Sequence, residues 1–260
     1  MKKAPGLFIS HGSPMMLVED SSARRFLAGL GAELGKPKAI LVASAHWETD
    51  RLAVSIAERP ETIHDFCGFP PALYESRYAA PGAPDAARRA AELVEGAGMT
   101  AVLDAGRGLD HGAWVPLQLM YPEADVPVAQ ISIESHLGPR RQLEVGRALA
   151  PLRDDGVMIM GSGNLSHDLS GMQRGAVDAP APGWVADFAD WVCDAVAADR
   201  LDDLADYRRA APHGERNHPT EDHFLPLFTA IGAGGPGARG ERLHASYSYA
   251  VLAMDAYAFD

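Results

Sequence analysis

The sequence predicts an α/β fold. Short apolar runs that end in small or polar residues alternate with longer stretches of helical periodicity, and each run has the length of a buried strand. The chain has 260 residues with 47% hydrophobic composition, enough for one sizeable core, so a single catalytic domain over residues 1–260 is expected. The expected strands are residues 7–9 (Leu7-Phe8-Ile9), 39–44, 128–133 and 157–160. Between them, residues 22–30, 84–95, 140–152 and 183–198 read as helices, with Pro84 suited to a first helical turn. Residues 52–57 alternate like a strand beside 39–44, and residues 246–254 read as a closing strand. The expected result is a central mixed, mostly parallel sheet flanked by helices, with a site at the carboxyl ends of its strands.

Gly- and Pro-rich loops are expected at 60–84, 179–183 and 232–240. The first exceeds 20 residues and holds Phe66, Phe69, Tyr74 and Tyr78, which suits a lid or binding loop bordering a pocket. Neither a solenoid period nor a low-complexity tract is visible.

Charge narrows the partners. Acidic residues outnumber basic ones, 35 to 23, for a net charge of −12, and no cluster of Lys and Arg offsets this. A phosphate-tracking nucleic-acid surface is therefore not expected. No apolar run approaches the roughly 18 residues of a membrane span. The Met1-Lys2-Lys3 start is followed by too short an apolar stretch for a signal-peptide core of about 7 to 15 residues, so export is not expected. Two cysteines, Cys67 and Cys193, are too few for a disulfide framework and fit the reducing cytoplasm. The expected partner is a small molecule, and self-association into a homo-oligomer stays open.

Ten histidines carry the chemistry. His11 follows Leu7-Phe8-Ile9-Ser10, His46 follows the 39–45 run, and His167 follows 157–160 after a Gly161-Ser162-Gly163-Asn164 turn. Side chains just past different strands converge in the crevice of an open α/β sheet. Neutral imidazoles there suit zinc or ferrous iron, and three of them leave positions open for substrate. His218 and His223, five apart, do not share a helical face, so one of them belongs with the strand-end histidines. Thr220 with its acidic neighbours reads as a helix start before 224–231. Gly161-Ser162-Gly163 lacks the Walker lysine and the dinucleotide fingerprint, and neither Ser13 nor Ser162 sits in a GxSxG elbow.

Six separated motifs then occur in one order: His11-Gly12-Ser13-Pro14, Ser44-Ala45-His46-Trp47, Thr62-Ile63-His64-Asp65-Phe66, Asp110-His111-Gly112-Ala113-Trp114, Ser162-Gly163-Asn164-Leu165-Ser166-His167 and Pro219-Thr220-Glu221-Asp222-His223. Over about residues 11–232 the chain resembles the class III extradiol ring-cleavage dioxygenases of the LigB-type superfamily, in the 4,5-DOPA dioxygenase branch. The resemblance implies one divalent metal per chain, Fe(II) for activity or Zn(II) as bound, held by His11, His46 and His223. It implies His167 as acid and base, with a fourth-ligand role also open, and Glu221 as a rival third ligand. His111 would orient oxygen at the metal. His64, Trp47, Phe66 and Trp114 would contact an aromatic diol, and dioxygen would be the co-substrate. His136, His213, His218 and His244 are expected to be surface or structural.

Two other functions fit the same residues: a zinc-dependent hydrolase using this histidine site, and a non-catalytic binder of metal or aromatic ligand.

Overall fold

Leu7, Phe8 and Ile9 are wholly buried in β1 (Gly6–Ser10), well inside an eight-stranded sheet. The structure, a computed structural model, describes residues 3–260. Met1 and Lys2, part of the basic start, lie outside the described residues. The remaining strands are β2 (Ala39–Glu48), β3 (Ala53–Ser55), β4 (Val102–Asp104), β5 (Val128–Ile133), β6 (Val157–Gly163), β7 (Gly240–His244), β8 (Tyr247–Ser248), β9 (Leu252–Ala253) and β10 (Ala256–Phe259). The sheet order is β4-β3-β5-β2-β6-β1-β10-β7, with β8 and β9 as a separate pair.

The four central strands β5, β2, β6 and β1 are parallel. On one side β3 joins β5 antiparallel and β4 parallel. On the other, β10 and β7 run antiparallel. The mixed, mainly parallel α/β sheet is as the sequence predicts. Two expected placements are corrected. The 52–57 strand does not lie beside β2, because β5 and β6 occupy both edges of β2. The 246–254 segment forms only the short β8–β9 pair, and the strand that closes the sheet is β10.

Alternate residues of each central strand feed opposite faces. Leu7, Ile9, Ile40, Val42, Met158 and Met160 pack with Leu27, Trp114 and Leu117, from the helices Ser22–Leu34 and His111–Met120. Leu41, Ala43 and Ile159 pack on the other face with Ala87, Val94 and Leu149, from the helices Pro84–Gly96 and Gly138–Leu149. Phe8 shares that face with Phe188 and Phe228, from the helices Gly183–Ala197 and Leu225–Gly234. Burial on both faces is why these strands read as continuous apolar runs.

One close approach positions the site. A Cβ on Gly163 would lie 2.1 Å from His223 O, and one on Gly161 2.0 Å from Pro226 O. The two glycines let the segment that carries His223 lie against the end of β6, where Asn164 N–H donates to His223 O at 2.9 Å.

Candidate metal centre

Five imidazoles meet at the carboxyl end of the parallel strands. His11 follows β1, and His46 lies near the end of β2. His223 is brought in by the close approach at Gly163. The ligand-capable nitrogens of His11, His46 and His223 all lie within 4.8 Å of one another. His167, past the end of β6, stacks on His223 with ring centroids 3.4 Å apart and an interplanar angle of 12°. His111, the first residue of its helix, has its ring 3.9 Å from that of His46 and 5.5 Å from that of His11.

Four of the imidazoles, those of His11, His46, His111 and His223, have a polar partner behind the ring. Pro116 lies inside the helix His111–Met120 and has no N–H, so Gly112 O lacks its i+4 donor. The Ser162 hydroxyl donates to that carbonyl instead. Its single proton is then committed, so Ser162 Oγ accepts from His11 Nδ1–H at 3.0 Å. His11 Nε2 is left bare. His223 Nδ1 donates to Asp222 Oδ2, and its Nε2 is buried with no hydrogen-bond partner. His46 Nδ1 lies 3.5 Å from Asp65 Oδ2 and His111 Nδ1 3.0 Å from Asp65 Oδ1. Such outer partners set the tautomer and orientation of metal-binding histidines.

The electrostatics agree with a cation site. Burial, reinforced by the neighbouring imidazoles, holds His11 and His223 well below the usual histidine range. Burial and the His111 ring bring His46 down to about 4, against the pull of Asp110 and Asp65. Burial alone would raise the Asp65 carboxyl, but His111 and His46 outweigh it and bring it to about 2.

Neutral rings therefore face one another through bare nitrogens, an arrangement that repels without a cation. The His11 and His46 Nε2 atoms are 3.1 Å apart. Bonds of about 2.0–2.1 Å give an octahedral edge of about 2.9 Å and a tetrahedral edge of about 3.4 Å, so the spacing fits a shared divalent ion. The orphaned His223 Nε2 fits the third position. Three neutral nitrogen donors suit Fe(II) and Zn(II) alike.

The helix start beside the site is tightly anchored. Asp110, wholly buried, caps the helix through Ala113 N–H and also accepts from Ser44 Oγ at 2.6 Å. Its other oxygen accepts from Arg107 Nη2 at 2.6 Å and Gln130 Nε2 at 2.7 Å. His111 thus both opens a capped helix and joins the imidazole cluster.

The other sequence candidates fall outside the cluster. Phe66 borders it, with its ring edge-on to His111 at 5.7 Å. His64 does not join it: its Nε2 donates to Ser76 O at 3.0 Å, and its ring packs 5.5 Å from Trp114. Trp114 is wholly buried, with its indole N–H on Ile63 O at 2.9 Å. Trp47 is buried under the Arg107 guanidinium, 5.0 Å away. The polar atoms of His64 and Trp114 and one face of Trp47 are engaged in supporting the long loop and the helix start.

His218 is buried with its Nε2 on Leu165 O at 2.8 Å, while His136 and His213 are exposed. His244 stacks on Phe26 at 4.5 Å. Sequence reasoning missed Asp65, Asp222 and Ser162 as supports, although each stands in a motif singled out for its histidine; the cap that Asp110 offers its helix is the part of this support that the sequence does show.

Comparison with known proteins agrees with this geometry. The family model described as the catalytic LigB subunit of aromatic ring-opening dioxygenase matches residues 5–260. The chain is 44% identical to a Beta vulgaris protein named 4,5-DOPA dioxygenase extradiol, over 97% of this chain and 95% of the relative. A protein of the same name from Escherichia coli (strain K12) is 40% identical over 89% of this chain and 85% of the relative. The crystal structure of an uncharacterised Escherichia coli K12 protein superposes with a TM-score of 0.83 at 33% identity, covering 99% of this chain and 100% of that one. The chain belongs to the LigB family of extradiol ring-opening dioxygenases and groups with its 4,5-DOPA dioxygenase relatives.

Proposed function

We propose that this enzyme opens the aromatic ring of a catechol, DOPA-like or smaller, by extradiol cleavage with dioxygen at one divalent metal held by His11, His46 and His223. The observation that carries this reading is the convergence of three imidazoles whose ligand-capable nitrogens lie within 4.8 Å of one another, with His11 and His223 tied at Nδ1. A bound ferrous ion supplies a redox change linking a catecholate to dioxygen, which zinc lacks.

The chain's own residues do the rest. His167, stacked on His223, takes a phenolic proton as general base and returns it later as acid. The Asp222 carboxylate opposes the burial that lowers the His167 basicity. His111 orients oxygen atoms at the site, held there by Asp65. Phe66 supplies an aromatic wall beside His111.

The partners are a small aromatic diol and dioxygen, and the expected compartment is the cytoplasm. Both cysteines are free, which agrees with a reducing environment. No helix among the described residues is long and apolar enough to cross a membrane.

Metal exchange tests the reading. Apoprotein reconstituted anaerobically with iron, then given catechol and oxygen, should consume oxygen and yield a yellow product, while the zinc form should not. Hydrolytic activity with zinc and no oxygen uptake with iron would favour the hydrolase instead.

A further inference from the structure

Of the five clustered imidazoles, His167 is the one without a polar partner behind its ring. Among the described residues that ring makes no hydrogen bond, and the nearby Asp222 carboxylate is already the acceptor for His223 Nδ1. A group that takes up a proton and gives it back must keep the nitrogen it uses uncommitted. Its aim therefore comes from the main chain that carries it.

That main chain is tied at every residue. Leu165 N–H donates to Ser10 Oγ at 3.1 Å. Ser166 Oγ donates to Val251 O and accepts from Ala253 N–H, both at 2.8 Å. His167 N–H donates to Asn217 O at 2.8 Å. The remaining tie is His218, whose Nε2–H donates to Leu165 O at 2.8 Å.

Asn217 and His218 are both wholly buried and are fixed from behind. Asn217 Nδ2 donates to Trp184 O at 3.0 Å and to His213 O at 3.1 Å, and His218 O accepts from Arg208 Nη1 at 2.7 Å. The His218 ring lies among Phe188, Tyr207 and Phe224, with centroids 5.6, 5.7 and 4.8 Å away. Phe224 directly follows His223, and Leu165 stands two residues before His167. One imidazole thus touches both segments whose side chains form the 3.4 Å stack.

A carbonyl can only accept, which places the His218 proton on Nε2 and leaves Nδ1 a buried acceptor with no partner. Burial brings this histidine down to about 3, so at neutral pH the ring is a neutral, single donor. An apolar ring would fill the same space without stranding a polar atom. What the imidazole adds is the bond to Leu165 O.

We propose that His218 is a positioning residue for the acid–base step: by holding Leu165 O and packing on Phe224, it sets where the His167 ring lies over His223 and so where that ring meets the phenolic proton. The inference rests on the ring-cleavage reading for the identity of that proton.

Three substitutions test it. His218→Gln keeps an N–H about as far along the side chain as Nε2, His218→Asn falls one methylene short, and His218→Phe fills the box with no donor. On iron-loaded enzyme, His218→Asn and His218→Phe should lower kcat about 10- to 100-fold, the size expected when a reacting group is misplaced by about an ångström, with KM changed less than about threefold. His218→Gln should recover most of the lost rate. In a His167→Ala background, His218→Phe should lower the residual rate little further, because its effect runs through His167. A second readout needs no turnover: 4-nitrocatechol bound to the zinc-loaded enzyme, whose visible spectrum separates its singly and doubly deprotonated forms. The doubly deprotonated fraction should fall in His167→Ala, fall likewise in His218→Asn and His218→Phe, and return in His218→Gln, with zinc content equal to wild type throughout.

The proposal is overturned if His218→Asn and His218→Gln behave alike, if His218→Phe lowers the rate by one factor with and without His167, or if His218→Asn sheds its zinc. Should His218→Phe fail to fold, the contrast between His218→Asn and His218→Gln decides the matter in both readouts. Absence of oxygen uptake by the wild type would instead count against ring cleavage, and the spectra of the zinc form would still decide the role of His218.

Discussion

Replacing Ser162 by alanine separates the tautomer of His11 from the shape of the site. Ser162 is wholly buried and stands between His11 Nδ1 and Gly112 O. The substitution removes an acceptor from one and a donor from the other. Each buried polar group left unpaired costs about 1–3 kcal/mol of stability. The freed imidazole then divides between tautomers, and loss of such an outer partner lowers metal affinity about 10- to 100-fold. Competition with a zinc chelator at neutral pH measures that loss directly, and thermal unfolding with and without zinc measures both terms. The gap in Tm between wild type and Ser162→Ala should widen when zinc is present, because tighter binding to the native wild type stabilises it further. A variant that melts lower yet holds zinc as tightly as wild type would refute the tautomer relay and leave Ser162 a packing residue.

Other perturbations probe the supports. Gly163→Ala should lower Tm and metal content together, since its Cβ would lie 2.1 Å from His223 O and overpacking of this kind costs about 1–3 kcal/mol; metal stoichiometry equal to wild type would contradict the close-approach account. Asp110→Ala should cost about 3–5 kcal/mol in denaturant unfolding, because it strands the Arg107 charge together with Gln130 and Ser44, and a loss below about 1 kcal/mol would contradict the anchoring role. Burial raises the Asp255 carboxyl to about 7 despite Arg242. The unfolded chain ionises near the ordinary carboxylate value while the native chain stays protonated, so this group's stabilisation is lost as pH rises from about 4 to about 7. Relative to Asp255→Asn, the wild type should therefore lose stability over that window, by as much as about 4 kcal/mol at 1.36 kcal/mol per pH unit. A flat difference across the window would remove the assignment.

The parts of the fold legible in the sequence are those where burial leaves a pattern. The central strands are apolar on both faces, and each ends where the chain turns, so His11 and His46 stood out at their ends. The edges carry no such signal: in β4, Val102 is 41% and Leu103 46% exposed, and β7 reads Gly-Glu-Arg-Leu-His. Strand order was equally hidden, because the pairing of β3 with β5 depends on which edges of β2 are already occupied.

His223 was legible only through the resemblance. Its segment reads as a helix start at Thr220, but Thr220 is exposed and the helix begins at Leu225. Burial of Phe224 and Leu225 sets that start, without a side-chain cap. The long loop at 60–84, expected from the sequence to border a pocket, reaches the imidazole cluster through Asp65 and Phe66, while His64 turns toward Ser76 and Trp114. Neighbours in an irregular segment have no periodicity to say which faces inward.

X-ray absorption on the zinc-loaded chain tests the shared cation most directly. It should find one ion per chain with at least three imidazole nitrogens at about 2.0–2.1 Å, and His11→Ala, His46→Ala and His223→Ala should each lose the ion. A shell of sulfur or mainly carboxylate oxygen, or an ion retained in all three variants, would contradict the account.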